Sequence, residues 1–324
     1  MFKPIKLKNL EIDTPIFAAP LAGITDEPYR KILRKCAPTA PLLTEMISCH
    51  ALTHRHRNDL STGNRRNWDE YGGPAGLIGA QIFGSDPAVM AEGAKILEGQ
   101  GAAWIDINMG CPVPKVAQKA GAGAGLMRDI PLAAAIVASV VRAVKIPVTM
   151  KTRLGWDGHN LNGAEVVRAA INAGACMATI HGRTRAAGYA GVADWAGIEK
   201  IKSQISGVPI IFNGDIKTHK DLEHVAALGA DGAMIGRGIL GAPWLLGDLT
   251  NTEIRIPKID LIMEHLQLTL GYYGVRAGVP LFRKHAAWYS AGMPGNAEFR
   301  TRVNQITDAH ELEKVMVEFF KNKI

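Results

Sequence analysis

Cysteine is scarce in this 324-residue chain and never paired at short spacing: Cys36, Cys49, Cys111 and Cys176 are its four, with no CxxC among them. That pattern argues against a disulfide framework or a structural zinc site, and predicts a reducing compartment and no bound metal. Long hydrophobic runs are missing too. Nothing approaches the roughly 20 consecutive apolar residues of a membrane span. The opening stretch, MFKPIKLKNLEIDTPIF, lacks the apolar core of a secretion signal. A cytoplasmic location without membrane association is therefore expected. No GxGxxG follows the first apolar run, which counts against a doubly wound dinucleotide-binding fold. Strong charge of one sign is also absent: 37 Lys and Arg stand against 30 Asp and Glu, a net +7. That excess fits a polyanionic partner without requiring one.

What the chain does have is a recurring unit. Short, nearly continuous apolar runs occur at 16–21, 41–46, 77–83, 103–109, 147–152, 176–182, 208–214 and 231–237. Runs of this kind suit strands buried on both faces of a parallel sheet. Helical spacing lies between most of them, over 25–36, 87–100, 130–144, 163–173, 195–205 and 218–228. The first of these helices has Thr25 as its expected N-cap and Pro28 in its first turn. Eight such units in a row predict a (β/α)8 barrel. The stretch 47–76 breaks the pattern. It carries His50, His54, Arg55, His56, Arg57, Arg65 and Arg66 before a Gly-Gly-Pro turn, and is expected to be a long irregular segment. After Pro243 the strand signal stops. Helical spacing over 258–275, 279–291, 296–305 and 308–322 predicts a small C-terminal helical domain. The expected division is 1–242 for the barrel and 243–324 for the helices, with a linker near 247–257.

Barrel enzymes carry their chemistry at the C-terminal ends of the strands. Here those ends hold Pro20, Leu21 and Ala22; Glu45; Gln81; Asn108, followed by Gly110 and Cys111; Lys151 and Arg153; His181, Gly182 and Arg183; Asn213, Gly214 and Asp215; and Gly236, Arg237 and Gly238. A buried polar group without a partner costs roughly 1–3 kcal/mol. A ring of them therefore points to a polar ligand rather than to scattered structural polars. The glycines and Arg237 at the last two ends suit a phosphate, through close main-chain approach and a fixed charge. Lys151 needs an anionic or polar partner, which a flavin ring edge or a carboxylate would supply. Cys111 lies beyond its strand, beside the Gly- and Ala-rich stretch 119–128, whose few apolar anchors suggest a movable lid. Its thiol could donate a proton, act as a nucleophile, or simply be a small buried hydrophobe.

Taken together, APLAGITDEPYR (19–30), TEM (44–46), QIFGSDP (81–87), DINMGCPVPK (106–115), VTMKTRLGW (148–156), TIHGRTR (179–185), IFNGDI (211–216) and MIGRGILGAPWL (234–245) resemble the tRNA-dihydrouridine synthases. FRKHAAWYSAGMPG (282–295) and FRTRVNQI (299–306) extend the likeness through the tail, and the bacterial B-type is the most similar subgroup. The resemblance implies an FMN-dependent oxidoreductase. NADPH or NADH would be its reductant, and its reaction would reduce the C5=C6 bond of D-loop uridines in tRNA to 5,6-dihydrouridine. It further implies that Pro20, Leu21, Ala22, Gln81, Lys151 and His181 contact the cofactor. Asn213, Gly214, Asp215, Gly236 and Arg237 would hold its phosphate side. Cys111 would protonate C5, and Asn108, Arg183, Arg283 and Lys284 would meet the substrate. Residues 243–324 hold ten Lys and Arg against nine Asp and Glu, so the basic face for tRNA is expected to be a patchwork. That patchwork draws on Arg283, Lys284, Arg300, Arg302, Lys115 and the 50–66 segment. A monomer without an obligatory protein partner is expected. Two rival readings remain open on the residues alone: another FMN barrel acting on a free pyrimidine, such as a dihydroorotate dehydrogenase, and a catalytically inert RNA-binding module.

Overall fold

The computed structural model describes residues 2–59, 77–321 and 323. It opens with an antiparallel hairpin, β1 (Ile5–Leu7) and β2 (Leu10–Ile12), in which Ile5 lies opposite Ile12. The apolar-run reading had no element here, because three-residue strands are too short to show alternation.

The parallel strands follow: β3 (Ile16–Ala18), β4 (Leu42–Leu43), β5 (Ile47–Ser48), β6 (Ile78–Phe83), β7 (Trp104–Asn108), β8 (Val148–Arg153), β9 (Ala178–His181), β10 (Ile210–Asn213) and β11 (Gly232–Ile235). They are ordered β3-β11-β10-β9-β8-β7-β6-β4, with β5 paired to β6. A main-chain bond from the Ala18 N–H to the Pro41 carbonyl, 3.1 Å, links the two ends of that order into a barrel. Each predicted strand run overlaps one of these strands.

The helices are α1 (Glu27–Cys36), α2 (Cys49–Asp59), α3 (Pro87–Gly99), α4 (Ile130–Ala143), α5 (Gly163–Asn172), α6 (Trp195–Lys202), α7 (His219–Ala227) and α8 (Trp244–Leu249), then α9 (Lys258–Tyr273), α10 (Val275–Tyr289), α11 (Asn296–Gln305) and α12 (Ala309–Phe320).

Several expectations are corrected. The N-cap of α1 is Asp26, whose Oδ1 accepts the Tyr29 N–H at 3.1 Å. Thr25 instead turns its hydroxyl back to the main chain of Leu21. Residues 49–59, expected to be irregular, form α2, while the basic and Gly-Gly-Pro portion 60–76 lies outside the described residues. The break expected after residue 275 falls at Gly274, which has φ 74°, so α10 begins five residues before Pro280. Helix α8 contributes Leu246 and Leu249 to the barrel's core, so its packing belongs with the barrel.

Strand pleating sorts the barrel's side chains into two sets. Residues such as Ile105, Ile107, Ile180 and Phe212 face the helices. The opposite face gives a floor of Phe17, Leu43, Trp104, Met177, Ile211 and Met234, packed on Ile5, Leu7 and Ile12 of the hairpin. The hairpin thus plugs the N-terminal end of the barrel. Gly79 makes room in that floor: a Cβ there would meet the Trp104 indole at 2.1 Å.

Helices α9–α12 have their own core around Phe282, Phe299, Met316 and Phe320. They dock on α1 through Leu261 against Ile32 and Cys36. The Tyr29 ring, fully buried, lies 5.1 Å from His265 and 5.4 Å from His285. Its hydroxyl donates to the Ile239 carbonyl.

Candidate active site

Above the apolar floor the inward-facing residues become polar. Gln81, Asp106 and Thr149 are lateral neighbours in register across β6, β7 and β8. One position higher, Asn108 stands beside Lys151. The strand ends then open into a cavity of about 310 Å³, within the size range of small-molecule sites. The expected residues Pro20, Leu21, Ala22, Gln81, Asn108, Cys111, Lys151, His181, Asn213, Gly214, Asp215, Gly236 and Arg237 all line it. Arg183, Arg283 and Lys284 do not.

Arg183 is nearly inaccessible, at 4% exposure. It donates to the carbonyls of Ala190 at 2.9 Å and Gly191 at 2.7 Å, and to Asp215 Oδ2 at 2.6 Å. Its Nη1 lies 3.3 Å from His181 Nε2. A guanidinium only donates, so Nε2 is the acceptor and the imidazole proton sits on Nδ1. Arg283 donates to the Ile306 carbonyl at the end of α11. Lys284 reaches from α10 to the Gly23 carbonyl, beside the Pro20–Ala22 segment. Lys284 thus ties α10 to the segment beside the mouth, whereas Arg283 ties α10 to the end of α11.

Cys111 is held through its main chain. Its N–H and that of Gly110 donate to Asn108 Oδ1 at 2.9 and 3.1 Å, and its carbonyl accepts the Ala124 N–H at 3.1 Å. Arg153 adds a clamp, donating from Nε to the Gly110 carbonyl at 2.7 Å. The stretch expected to be a loose lid is not loose. Residues Gly123–Arg128 form a 3-10 turn that buries Ala124, Leu126 and Met127 in the barrel's core. Gly123 takes φ 55°, and a Cβ there would meet Cys111 Cβ at 3.1 Å. Scattered small residues conceal anchors that only the folded path reveals.

The electrostatics follow from burial and from an excess of cations. Burial pushes the Cys111 thiol up, outweighing the Val113 N–H, Arg153 and Lys151, so the sulfur keeps its proton at neutral pH. Burial, helped by Arg153, pulls the Lys151 amine down to about 7. That amine lines the cavity and has no hydrogen-bond partner among the described residues. His181 is pulled down to about 2 by burial and by Lys151, Arg153, Arg183 and Arg237, so it is a neutral imidazole. Burial raises the Asp106 carboxyl, against the lowering effect of Gln81, Thr149 and Lys151.

At the far side, Asp215 Oδ1 accepts from Arg237 at 3.0 Å, and Asp215 Oδ2 also takes the Ala193 N–H at 2.9 Å. The carboxylate is thereby committed to its cations. Gly214 has φ 116°, and a Cβ there would meet His181 Cδ2 and Ala193 Cβ at 2.8 Å each. At Gly236 the nearest atom to such a Cβ would be Ala19 Cβ at 3.7 Å, so the main chain is open to a close neighbour. A lysine amine without a hydrogen-bond partner among the described residues, an accessible guanidinium, glycine-lined main chain and the apolar side chains of Ala19, Leu21 and Ile24 fit a flat, partly apolar group ending in a phosphate.

Three contributors went unassigned at the sequence level. Asp106 could have been found by pleat periodicity, since Trp104, Asp106 and Asn108 share a face. Arg153 stood at a strand end without an assigned role. Tyr189 gave no signal: its half-exposed ring lies on a loop, under Arg153 at 5.5 Å and Arg237 at 5.1 Å.

Comparison with known proteins identifies relatives of this chain. The family model for dihydrouridine synthase matches residues 17–324. A probable tRNA-dihydrouridine synthase of Rickettsia bellii is 39% identical over 330 residues, covering 99% of each chain. The tRNA-dihydrouridine synthase B of Pasteurella multocida is 38% identical over 333 residues, covering 99% of this chain and 96% of its own. Among solved structures, a mandelate oxidase bound to 3,3-difluoro-2-hydroxy-3-phenylpropionic acid superposes with a TM-score of 0.50 at 17% identity, over 84% of this chain and 78% of that one, a likeness of fold. With the family model spanning nearly the whole chain and relatives matching end to end, this chain belongs to the dihydrouridine synthase family.

Proposed function

We propose that the chain reduces the C5=C6 bond of uridines in tRNA, with FMN in the barrel mouth and Cys111 as the proton donor. The observation that carries this reading is a thiol and a lysine amine without a hydrogen-bond partner among the described residues lining one cavity, at residues 111 and 151. Bound FMN supplies hydride chemistry, replenished from NADPH or NADH.

The chain's own groups do the rest. Lys151 directs its amine at an electron-rich ring edge and gains the partner it otherwise lacks. Gln81 and the Pro20–Ala22 segment bound the ring. Arg237, with the main chain of Gly214, Asp215 and Gly236, holds the phosphate; Asp215 contributes through its main chain because its carboxylate is committed to Arg183 and Arg237. Asn213 sends its amide to the Met234 carbonyl, 2.7 Å, and braces β10 on β11 under that phosphate. Cys111 keeps on its sulfur the proton that C5 requires. Asn108 steadies the thiol loop beside the base, and neutral His181 offers a hydrogen bond without adding charge. Arg183 orients His181 and Asp215 rather than touching substrate. A uridine stacked in folded tRNA must be turned out to reach this depth. Lys284, Arg283 and the exposed cations of the helical domain would meet its backbone.

Mass spectrometry of tRNA from a strain lacking this gene, compared with its parent, tests the reading: dihydrouridine at one or more positions should vanish. Unchanged tRNA, together with rapid oxidation of free dihydroorotate by the purified protein, would refute it.

A further inference from the structure

We infer that Asp106, two pleats below the mouth, is a positioning residue that sets the hydrogen-bond polarity of Gln81 and Asn108 and thereby holds the Cys111 main chain in place. The inference builds on the proposed function only in its consequence, that the held thiol is the proton donor.

The argument starts from groups that have no choice. The N–H groups of Gly110 and Cys111 can only donate, so the Asn108 atom that faces them must be Oδ1. Asn108 therefore turns Nδ2 toward Gln81 and donates to Oε1 at 2.8 Å. Gln81 must in turn present Nε2 to Asp106, and does so at 2.7 Å. Asp106 Oδ2 accepts there, while Oδ1 faces the Thr149 hydroxyl at 2.6 Å. Amide orientations are ordinarily ambiguous. Here two main-chain donors fix one end of the chain and an acceptor carboxyl fixes the other. Asp106 and Gln81 are each only 1% exposed, so water cannot substitute for a lost partner. Asp106 touches neither the cavity nor Cys111, so its influence passes through the two amides.

Exchanging acceptor and donor along the chain tests this. Gln81→Glu alone sets two carboxyl groups against each other, which must share a proton or separate. Adding Asp106→Asn gives the introduced carboxylate a donor again, and that carboxylate still accepts from Asn108. Polarity is restored and the interior's net charge matches the parent. Two readouts apply to the purified proteins: deuterium exchange of the peptide covering 108–112, and the rate of Cys111 alkylation by iodoacetamide, with buried Cys36 and Cys49 as references. Gln81→Glu should raise both on the order of fivefold, equivalent to ~1 kcal/mol of one lost hydrogen bond. Asp106→Asn should bring both back in that background. Asp106→Leu, which removes the acceptor outright, should raise them as well.

Parent-like readouts in Gln81→Glu, or a double variant no closer to the parent than Gln81→Glu, would overturn the inference, as would parent-like behaviour of Asp106→Leu. If Asp106→Leu does not fold, the Gln81–Asp106 cycle decides alone; if Gln81→Glu does not fold, recovery of folded protein in the double variant supports the inference and its absence sinks it. Neither readout involves uridine reduction, so failure here leaves the proton-donor assignment to its own test.

Discussion

Replacing Cys111 by Ala separates chemistry from architecture, because the sulfur carries none of the loop's support. The Cys111 N–H is bound to Asn108 Oδ1 at 2.9 Å and its carbonyl to the Ala124 N–H at 3.1 Å, and both contacts survive loss of the side-chain thiol. Removing one half-buried sulfur should cost the fold about 1 kcal/mol or less, a few degrees in melting temperature. Removing a general acid costs a rate factor of roughly 10²–10⁴, or about 3–5 kcal/mol of barrier. The two half-reactions should therefore diverge. Bleaching of the flavin band by NADPH should proceed at the parent rate. Single-turnover formation of dihydrouridine on unmodified tRNA, quantified by mass spectrometry, should fall at least a hundredfold. The pH dependence carries a second check. A thiol raised above its ordinary 9.0 is protonated, and so competent, throughout the neutral range. The parent's single-turnover rate should stay level across the neutral range and decline only as pH rises towards the thiol's pKa. A parent-like product rate in Cys111→Ala would remove the residue from the proton-donor role. Equal losses in both half-reactions would point instead to a damaged cofactor site.

The remaining predictions concern the cavity's charge and its packing. Lys151 lies near 7 in the fold against an ordinary 10.5, so the ligand-free protein is penalised where the amine is charged and gains stability as pH rises from 7 towards 10.5. Binding of an anionic or electron-rich ligand beside that amine should make Lys151 take up a proton between those values; FMN-binding enthalpies at pH 8.5 should differ between HEPES and Tris buffers, and identical enthalpies would count against the assignment. Arg237→Ala should weaken FMN retention by roughly 10- to 100-fold, the worth of one charge-assisted contact. Its melting temperature should barely move without ligand, since the Arg237 side chain is 44% exposed and its bond to Asp215 is worth little in water; unchanged FMN affinity by equilibrium dialysis would refute the phosphate role. Gly79→Ala should destabilise the barrel by about 1–3 kcal/mol through overpacking against Trp104. Calorimetry giving an unshifted melting temperature would show that the indole moves freely.

The barrel was legible because its strands are buried on both faces, which turns each into a continuous apolar run that no loop imitates. The polar mouth was legible for the complementary reason: a Gln, Asn, Lys or His closing such a run stands out against its own strand. What escaped were features whose meaning depends on a partner distant in the chain. Arg183 stands at a strand end as a substrate contact would, yet its donors go to Ala190, Gly191 and Asp215. Residues 119–128 show only small side chains, and it takes the folded path to bring Leu126 and Met127 into the core. The α2 helix was masked by charge. With four His and Arg between residues 54 and 57, it lacks the apolar periodicity that marks a buried helix face.

Burial, and not the cations around the mouth, explains why this thiol holds its proton. Arg153 and Lys151 beside a cysteine would ordinarily favour the thiolate, the arrangement found around nucleophilic cysteines. Here burial outweighs them, and the same cations act elsewhere. Arg153 has its guanidinium bonded to the Gly110, Thr184 and Gly188 carbonyls. Lys151, drawn down toward neutrality, carries less than a full charge until a ligand supplies an anionic edge. Ligand arrival should therefore raise positive charge at Lys151 and lower the thiol's pKa from its elevated starting point. A site that began with a free thiolate would have no proton to give. One that begins with a buried thiol can approach the acidity its task needs only when the cavity is filled.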